Sequence, residues 1–383
     1  MAEVRSGGDG KIKGQNTEIQ SESGEDTCGV VLLRAGLWER EVEDTSCFPL
    51  TEEEWKKVYL LSRQQTVTGV VFQGILLLAE EFLPSESLLV RWMAETDAIE
   101  RKNRRMNQVL ASLVQMFISI GVSPVLQKGQ GVASFYEKPL WRECGDIDFY
   151  FESQQEFERA SYFVRRCKLQ EEKMPDQSVA YTWKGVQIEH HTRLLDLHNP
   201  FLRYYAGQLV SQYGYSHMAI GKEKELEITV PSPVLNLLLQ SLHILKHALG
   251  WGIGLRQLCD LARTCYILYQ EVDAAEMKKI CFRLGLGRWH GLLHACLVDH
   301  LGLPMECLPY PDRASEASPL LDIIWRGGNF GQFDAENLRL AVPLWKRKWQ
   351  TACAFRRNMG FAFHYAPKES FWIVSSLLKG QFK

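Results

Sequence analysis

Hydrophobic and polar residues alternate with a period of two in the middle of this chain, which is the spacing of β-strands. In such a run, successive side chains point to opposite faces, so one face can pack on a core while the other faces solvent or a site. A Lys184-Gly185 pair between two of the runs is typical of a tight turn. The pattern predicts strands at Ser123–Gln127, Asp146–Phe151, Val179–Trp183 and Val186–His191, with helical pieces at Val132–Tyr136 and Gln155–Cys167.

The flanking regions follow the helical period instead. Thr51 and Glu54 have the spacing of a capping box at the start of one helix, and a second predicted helix runs from Ser85 to Ile120 with a break or two. Further along, Ser232 is suited to an N-cap because a proline follows it at the first helical position. The helices predicted from there are Pro233–Leu249, Ile253–Gln270, Ala274–Leu284 and Trp289–Leu301.

These elements predict an α+β protein, with a small mixed β-sheet core between N-terminal helices and a C-terminal α-helical domain. The first residues include almost no large apolar side chains, so burial cannot offset the entropy of ordering them. The expected divisions are a disordered tail at 1–26, an N-terminal helical segment at 27–120, an α/β core at 121–230 and a C-terminal helical domain at 231–383.

Composition narrows the class of protein. With 383 residues, 46% of them hydrophobic, the chain can bury a substantial core. The ten cysteines have neither Cys-x-x-Cys pairs nor zinc-finger spacing, which argues against a disulfide framework and favours reduced thiols in the cytoplasm. The most apolar stretch, Val234–Leu249, includes Lys246 and other polar residues, so no membrane span is expected. A net charge of −2 excludes a globally basic nucleic-acid-binding protein, and local basic clusters at 101–105 and 346–357 are interpreted as solvated helix faces.

Two aspartates in one predicted strand carry the first chemical signal. Asp146 and Asp148 alternate with Ile147 and Phe149, so both carboxylates are expected on one face. Like charges this close repel and raise one another's pKa, so a site that keeps both ionised usually contains a cation. Carboxylate oxygens favour Mg²⁺, or Mn²⁺ in its place. The pair therefore indicates a metal site of a nucleotide-handling enzyme.

Glu189 is the third candidate carboxylate. It shares a strand face with Gln187 and His191, while Val186, Ile188 and His190 form the opposite face. This placement favours a carboxylate in a cleft, where a metal would supply its partner. The alternative is an ordinary surface residue on a strand.

A glycine-rich turn precedes the aspartates. Lys128-Gly129 lies where a strand gives way to a helical piece, so bare backbone N–H groups and the lysine charge could receive phosphate oxygens there. A turn beside a solvated lysine is the alternative. Arg142 is open between a phosphate contact and a salt bridge that orders its loop, because its planar guanidinium suits either anion.

One face of the predicted helix Pro233–Leu249 is polar but uncharged. Asn236, Gln240, His243 and His247 share this face, which could line a cleft or could consist of core polar groups with internal partners. A zinc cluster of histidines is disfavoured, because the neighbouring residues 190 and 191 point to opposite strand faces. Further along, Arg256 and Asp260 could pair with each other or could steer Lys246 and His247.

The order of these motifs resembles that of the uncharacterised nucleotidyltransferases of the polymerase-β-like superfamily. Lys-Gly in place of the Gly-Ser of most of the superfamily is a departure. The matching motifs are Lys128-Gly129, Arg142-Glu143-Cys144-Gly145-Asp146-Ile147-Asp148, Glu189-His190-His191 and His243-Ile244-Leu245-Lys246-His247, with Arg256 and Asp260 following.

The resemblance implies that the sheet is a nucleotidyltransferase core. It implies that Asp146 and Asp148 hold Mg²⁺ or Mn²⁺ on the phosphates of an NTP, with Glu189 as a third ligand or as the base that activates the acceptor. The residues expected to bind the nucleotide are Lys128, Gly129, Arg142, His191, His243, Lys246 and His247.

The expected reaction is transfer of an NMP group to an acceptor, with release of pyrophosphate. The acceptor is left open among a small molecule, a sugar phosphate, a protein and an RNA end. Two alternatives are an NTP-dependent phosphotransferase, and a non-catalytic module that binds a nucleotide or a partner on the same fold.

Overall fold

The computed structural model describes residues 28–174, 177–220, 226–249, 252–327 and 359–381. The tail expected at 1–26 and the basic cluster at 346–357 lie outside these ranges. The chain is α+β, as predicted, and its helices surround one mixed sheet.

The sheet has seven strands within the described residues, in the order β3-β4-β5-β2-β1-β7-β6. Strand β2 runs parallel to β5, and β1 runs parallel to β7, while the remaining neighbours are antiparallel. The strands are β1 Val125–Gln127, β2 Ile147–Tyr150, β3 Glu172–Lys173, β4 Val179–Trp183, β5 Val186–His191, β6 Tyr215–Ile220 and β7 Leu226–Pro231.

The helices account for most of the remaining described residues. Several begin at the side-chain caps that the sequence provides, including the capping box of Thr51 and Glu54 and the N-cap of Asn199. Their bounds are α1 Cys28–Trp38, α2 Glu52–Gln64, α3 Thr68–Ile75, α4 Glu86–Ser119, α5 Gly129–Ala133, α6 Gln154–Arg166, α7 Pro200–Tyr213, α8 Pro233–Leu249, α9 Leu255–Leu268, α10 Ala274–Leu284, α11 Gly287–Ala295, α12 Ser318–Gly327 and α13 Pro367–Gln381.

Helix α4 is continuous over 34 residues, so the break expected within it is wrong. Buried side chains recur along its whole length, from Leu88 and Trp92 to Leu113 and Phe117, and this stripe keeps the helix in contact with the rest of the protein. The α-helix predicted at Trp289–Leu301 is shorter in the structure. Helix α11 ends at Ala295, and a π-helical turn follows at Cys296–His300.

The two faces of the sheet pack against different cores. The first face carries Phe149 and His190, which make edge-to-face contacts with Phe117 of α4 beneath the sheet. The opposite face adjoins the larger core, which the helices from both ends of the chain share. This second face carries the polar residues of β2 and β5, so it is where a site can form.

Helices from the two ends of the chain are joined by direct hydrogen bonds. The Gln65 amide at the end of α2 donates to the Ile324 carbonyl of α12, and it accepts from the Leu255 backbone N–H at the start of α9. Helices α1 and α3 approach closely through glycine, since a Cβ at Gly74 would lie 2.0 Å from the Leu32 carbonyl oxygen. The described helices of the N-terminal and C-terminal segments thus share one packed body.

The structure bears on the expectation of reduced cysteines and on the expectation that no segment spans a membrane. Cys28 and Cys47 form a disulfide, so the expectation of reduced thiols is wrong for this pair. Tertiary packing of α1 against the segment before α2 brings the two sulfurs together, and their separation of 19 residues carries no sequence signal. Of the helices in the described ranges, none is both long and apolar enough to cross a bilayer.

Candidate metal and nucleotide site

Two adjacent parallel strands bring carboxylates together on the open face of the sheet. Asp148 of β2 lies opposite Glu189 of β5, and Tyr150 lies opposite His191. Because side chains alternate along each strand, Asp148, Glu189 and His191 point to the same face. One ligand atom from each lies within 4.8 Å of the others, which is the spacing of a metal site.

Asp148 is the most buried member of this group. It is 3% exposed, with the Lys128 ammonium 3.4 Å from one carboxylate oxygen and His191 Nε2 2.8 Å from the other. Burial by itself would raise the pKa of Asp148, but the Lys128 charge and the His191 hydrogen bond outweigh burial and hold this pKa well below its usual range. Asp148 is therefore the permanently ionised carboxylate of the site.

The pKa of each of the other two carboxylates, Glu189 and Asp146, is raised. Burial, together with the negative charges of Asp148 and Asp146, raises the pKa of Glu189 to about 7. The Asp148 charge, and then burial, raises the pKa of Asp146. A bound cation would relieve this repulsion, so the cluster is a candidate metal site.

Asp146 lies near the cluster without being part of its tightest set. The predicted metal ligands were Asp146, Asp148 and Glu189, whereas the three side chains that converge most closely are Asp148, Glu189 and His191. Asp146 precedes β2, which begins at residue 147, so the strict alternation of a strand does not fix its direction. His191, predicted to contact the nucleotide, thus lies among the candidate metal ligands.

The Lys128-Gly129 turn aims the lysine at these carboxylates. Lys128 has φ +47° and Gly129 has φ +46°, both in the left-handed region that L-residues rarely adopt. A Cβ at Gly129 would lie 3.3 Å from the Asp146 carbonyl oxygen, so the turn also packs closely against the start of the aspartate strand. The unusual backbone places the Lys128 ammonium between Asp148 and helix α8.

Helix α8 contributes two neutral imidazoles above the lysine. His243 Nδ1 lies 3.5 Å from Lys128 Nζ, and because an ammonium group only donates, this ring nitrogen accepts. Burial, and then the Lys128 charge, lowers the pKa of both histidines, that of His247 to about 3. Both rings are therefore uncharged at neutral pH and can serve as hydrogen-bonding groups.

Comparisons with known proteins bear on this arrangement. The model of a family described as "Uncharacterised nucleotidyltransferase" matches residues 51–302, which is more than half of the chain. The chain belongs to this family. No curated protein matches. A solved structure, the antigenic nucleotidyltransferase-like protein from Paracoccidioides brasiliensis, is similar at 14% identity over 46% of this chain and 85% of that chain; its TM-score of 0.30 is too low to support an argument.

A cleft opens beside the candidate metal-ligand cluster of Asp148, Glu189 and His191. Its cavity volume is about 60 Å³, which is smaller than the sites that enclose a whole small molecule. Four of the residues predicted to bind the nucleotide line it: Lys128, His191, His243 and Lys246. The Lys246 ammonium also lies 2.6 Å from an Asp196 carboxylate oxygen.

The loop that forms one wall of the cleft was not predicted from the sequence. Thr192, Arg193, Leu194 and Asp196 all line the cleft, directly after β5. Arg193 adds a third cation to the cleft, and its Nη1 lies 4.0 Å from Asp196 Oδ1. In the sequence, only their position directly after the Glu-His-His motif could have indicated a role for these residues, because they have no pattern of their own.

Arg142 does not contact the cleft, which corrects the prediction that it binds nucleotide. Its guanidinium is 5% exposed and pairs with both carboxylate oxygens of Asp260, to which the Tyr136 hydroxyl also donates at 2.8 Å. The structure therefore selects the alternative of a salt bridge that orders the loop. Asp260 is thereby committed to Arg142, so it does not steer Lys246 or His247.

The loop before Asp146 is held from two sides. Arg256 of α9 donates to the Glu143 carbonyl at 2.9 Å, and from α4, Lys102 donates to the Cys144 carbonyl at 2.7 Å. Asn103 donates to the Arg142 carbonyl at 2.8 Å. Residues outside the motif thus fix the backbone that presents the first aspartate.

The polar face of α8 divides into two parts. Gln240 donates to Asn236 at 2.9 Å and to Thr264 at 2.7 Å, and both amide side chains are buried. For these two residues the alternative of core polar groups is correct, and the cleft interpretation is wrong. His243 alone of the residues on this face lines the cleft, among those that the structure describes there.

His190 lies on the opposite side of the sheet from His191, as alternation predicts. It is 0% exposed among aromatic rings and bonds to the Tyr181 hydroxyl at 2.9 Å. Burial, and then the His191 charge, lowers its pKa to about 3. This geometry separates it from the other histidines and argues against a shared zinc site.

Proposed function

We propose that this protein is a divalent-metal-dependent enzyme that transfers an NMP group from an NTP to an acceptor and releases pyrophosphate. The observation that carries the proposal is the convergence of Asp148, Glu189 and His191 on two adjacent strands, beside the Lys128 ammonium. Family membership favours the same chemistry. The proposal goes beyond both, because neither identifies the donor, the metal or the acceptor.

The side chains present fit a divalent ion. Burial, and then the negative charges of Asp148 and Asp146, raises the pKa of Glu189 to about 7, so a nearby positive charge would favour its ionised form. Carboxylate oxygens suit Mg²⁺ and Mn²⁺, while an imidazole ligand at His191 would favour Mn²⁺ over Mg²⁺. A metal held there would supply charge neutralisation of the phosphates and orientation of the reacting oxygens.

The cations along the cleft suit a triphosphate. Lys128, Arg193 and Lys246 all line it, so the phosphates could be bound over a continuous wall from the metal ligands outward. Neutral His243 can donate from Nε2, since its Nδ1 accepts from Lys128. These groups would bind and orient the triphosphate. In-line nucleotidyl transfer depends mainly on such positioning and on charge neutralisation.

The experiment that tests this function uses NTPs labelled at the α-phosphate. The purified protein would be incubated with each NTP, Mg²⁺ or Mn²⁺, and an extract of metabolites and RNA. Variant Asp148→Asn is the inactive comparison. Variant Asp312→Asn is the matched control, because this aspartate pairs with Lys278 at 2.9 Å in the helical body.

The product distinguishes the three functions considered. Label that moves to a new species with wild type and Asp312→Asn, but not with Asp148→Asn, supports nucleotidyl transfer and identifies the acceptor class. Formation of NDP would indicate a phosphotransferase instead. Binding of Mn²⁺ and NTP without turnover in any fraction of the extract would favour a non-catalytic nucleotide-binding module.

A further inference from the structure

The wall of the cleft between β5 and α7 is a loop that is fixed at both ends. It begins directly after His191 and ends at Asn199, the N-cap of α7. Thr192, Arg193 and Asp196 on this loop line the cleft. The position of its second end therefore determines where these side chains lie.

That second end is held by a carboxylate from far along the chain. Glu369, in the first turn of α13, accepts hydrogen bonds from the backbone N–H groups of His198 and Asn199, the latter at 3.1 Å. His198 Nδ1 lies 3.2 Å from the same carboxylate. The Asn199 side-chain amide adds a bond to the Lys368 carbonyl at 3.1 Å.

The hydrogen bonds that join Glu369 and Lys368 to His198 and Asn199 form a buried clasp, and α13 makes further bonds to the rest of the protein. Glu369 is 3% exposed, so water does not compete for its oxygen atoms. Ser370 is fully buried and donates to the Ala362 carbonyl at 2.8 Å, and the Lys368 ammonium donates to the Arg283 carbonyl at 3.0 Å. Helix α13 is therefore docked on α10 independently of the loop.

We infer that Glu369 is a positioning residue for the nucleotide cleft, which sets the loop from Thr192 to Asn199 so that Arg193 faces the triphosphate. The inference rests on the proposed function for the identity of the ligand. Glu369 lies beyond residues 51–302, the part that the family model matches. The C-terminal helix thus acts on the cleft through the backbone of the loop, without touching substrate itself.

The test uses the full chain with the near-isosteric substitution Glu369→Gln. Binding of Mn²⁺ with inorganic triphosphate would be measured by calorimetry, because this probe requires the phosphate wall and no base. Removal of the charge should weaken triphosphate binding roughly tenfold, the scale of one charged hydrogen bond. Amide hydrogen exchange should increase in residues 192–199 and stay unchanged in β2 and β5.

A double-mutant cycle separates positioning from a general loss of stability. If Glu369 acts through the loop, then Glu369→Gln should add little to the weakening already caused by Arg193→Ala. The matched control is Glu306→Gln, the same substitution at an exposed glutamate of the helical body. This control should leave triphosphate affinity and loop exchange unchanged.

The inference and the proposed function fail in different ways. A wild-type protein that binds no Mn²⁺ and triphosphate contradicts the proposed function. The inference is overturned if exchange in 192–199 is the same in Glu369→Gln and wild type, or if affinity is unchanged in a wild type that does bind. Should Glu369→Gln not fold, Glu369→Asp, which keeps the charge on a shorter stem, gives the same comparisons.

Discussion

Replacement of Glu189 by glutamine should stabilise the metal-free protein while it weakens metal binding. Burial, and then the negative charges of Asp148 and Asp146, raises the pKa of Glu189 from the ordinary 4.5 to about 7. A glutamine of the same shape has no charge, so it avoids both the cost of burying a charge and the repulsion. Function and stability are thus expected to change in opposite directions at a single position.

The size of the gain follows from the pKa of Glu189. A carboxyl group whose pKa is higher in the folded protein binds its proton more tightly there, so its stability contribution is intact below pH 4.5 and is lost as pH rises towards 7. A difference of about 2.5 pKa units corresponds to about 3.4 kcal/mol. Partial exposure of the side chain reduces this figure, and a gain of about 1–3 kcal/mol above pH 7 is expected.

Urea denaturation at pH 5 and pH 8, with chelator present, measures this gain. Glu189→Gln should match wild type near pH 5 and exceed it at pH 8. Addition of Mn²⁺ at pH 8 should then stabilise wild type much more than the variant, because only wild type retains the full ligand set. Glu172→Gln on the edge strand β3 is the control, since this glutamate is exposed and lies outside the metal-ligand cluster.

A Glu189→Gln variant that is less stable than wild type at pH 8 would refute this reasoning. Such a result would mean that the ionised carboxylate has favourable partners in the metal-free fold, and that the cluster is a structural ion network. A gain that is equal at pH 5 and pH 8 would also refute it, because it would not follow the titration of Glu189.

The same geometry leads to three further expectations. Arg142→Met should cost about 3–5 kcal/mol of unfolding free energy in denaturation experiments, because it leaves Asp260 buried without its cation. Gly129→Ala, at φ +46°, should cost about 1–2 kcal/mol and weaken Mn²⁺ binding, whereas Gly131→Ala, where a Cβ meets ordinary contacts at 3.6 Å, should not. Mn²⁺ affinity, followed by paramagnetic resonance, should fall roughly tenfold per pH unit below about 7 as Glu189 takes up a proton, and should level off above it.

Local patterns were sufficient for the central strands and several helices. Strands β4 and β5 and helices α8 and α10 have the bounds that alternation, turn residues and caps predict. The same alternation placed Asp148 and Glu189 on the polar faces of their strands. These features are set by residues close together in sequence, so they can be inferred without knowledge of the fold.

Elements whose sequence lacks a period were not predicted. Helices α1 and α3 are apolar on most sides because they pack inside the larger core, and glycines allow their backbones to approach. Strands β6 and β7 are held in the sheet by pairing with each other and by the pairing of β7 with β1, which is more than a hundred residues away in sequence. In both cases tertiary contact decides the structure, and the local sequence is only compatible with it.

Pairs of distant residues set the remaining details of the site. Arg142 meets Asp260 at a sequence separation of 118, and the sequence could not distinguish this partner from a phosphate group. The clasp of Glu369 on His198 and Asn199 spans about 170 residues and has no motif. Motif order identified the family, but the groups that hold the motif in place became visible only in the folded chain.

Lys128 connects the strained turn to the charge balance of the site. Its ammonium lies 3.4 Å from one Asp148 carboxylate oxygen, and this pairing, together with the His191 hydrogen bond, keeps one of the clustered acids ionised. A bound cation would take over this neutralising role, which would leave the lysine able to turn toward phosphate in the adjoining cleft. The positive φ values at residues 128 and 129 place the ammonium within reach of both tasks. This dual use gives a physical reason for a backbone that costs free energy to persist beside the carboxylates.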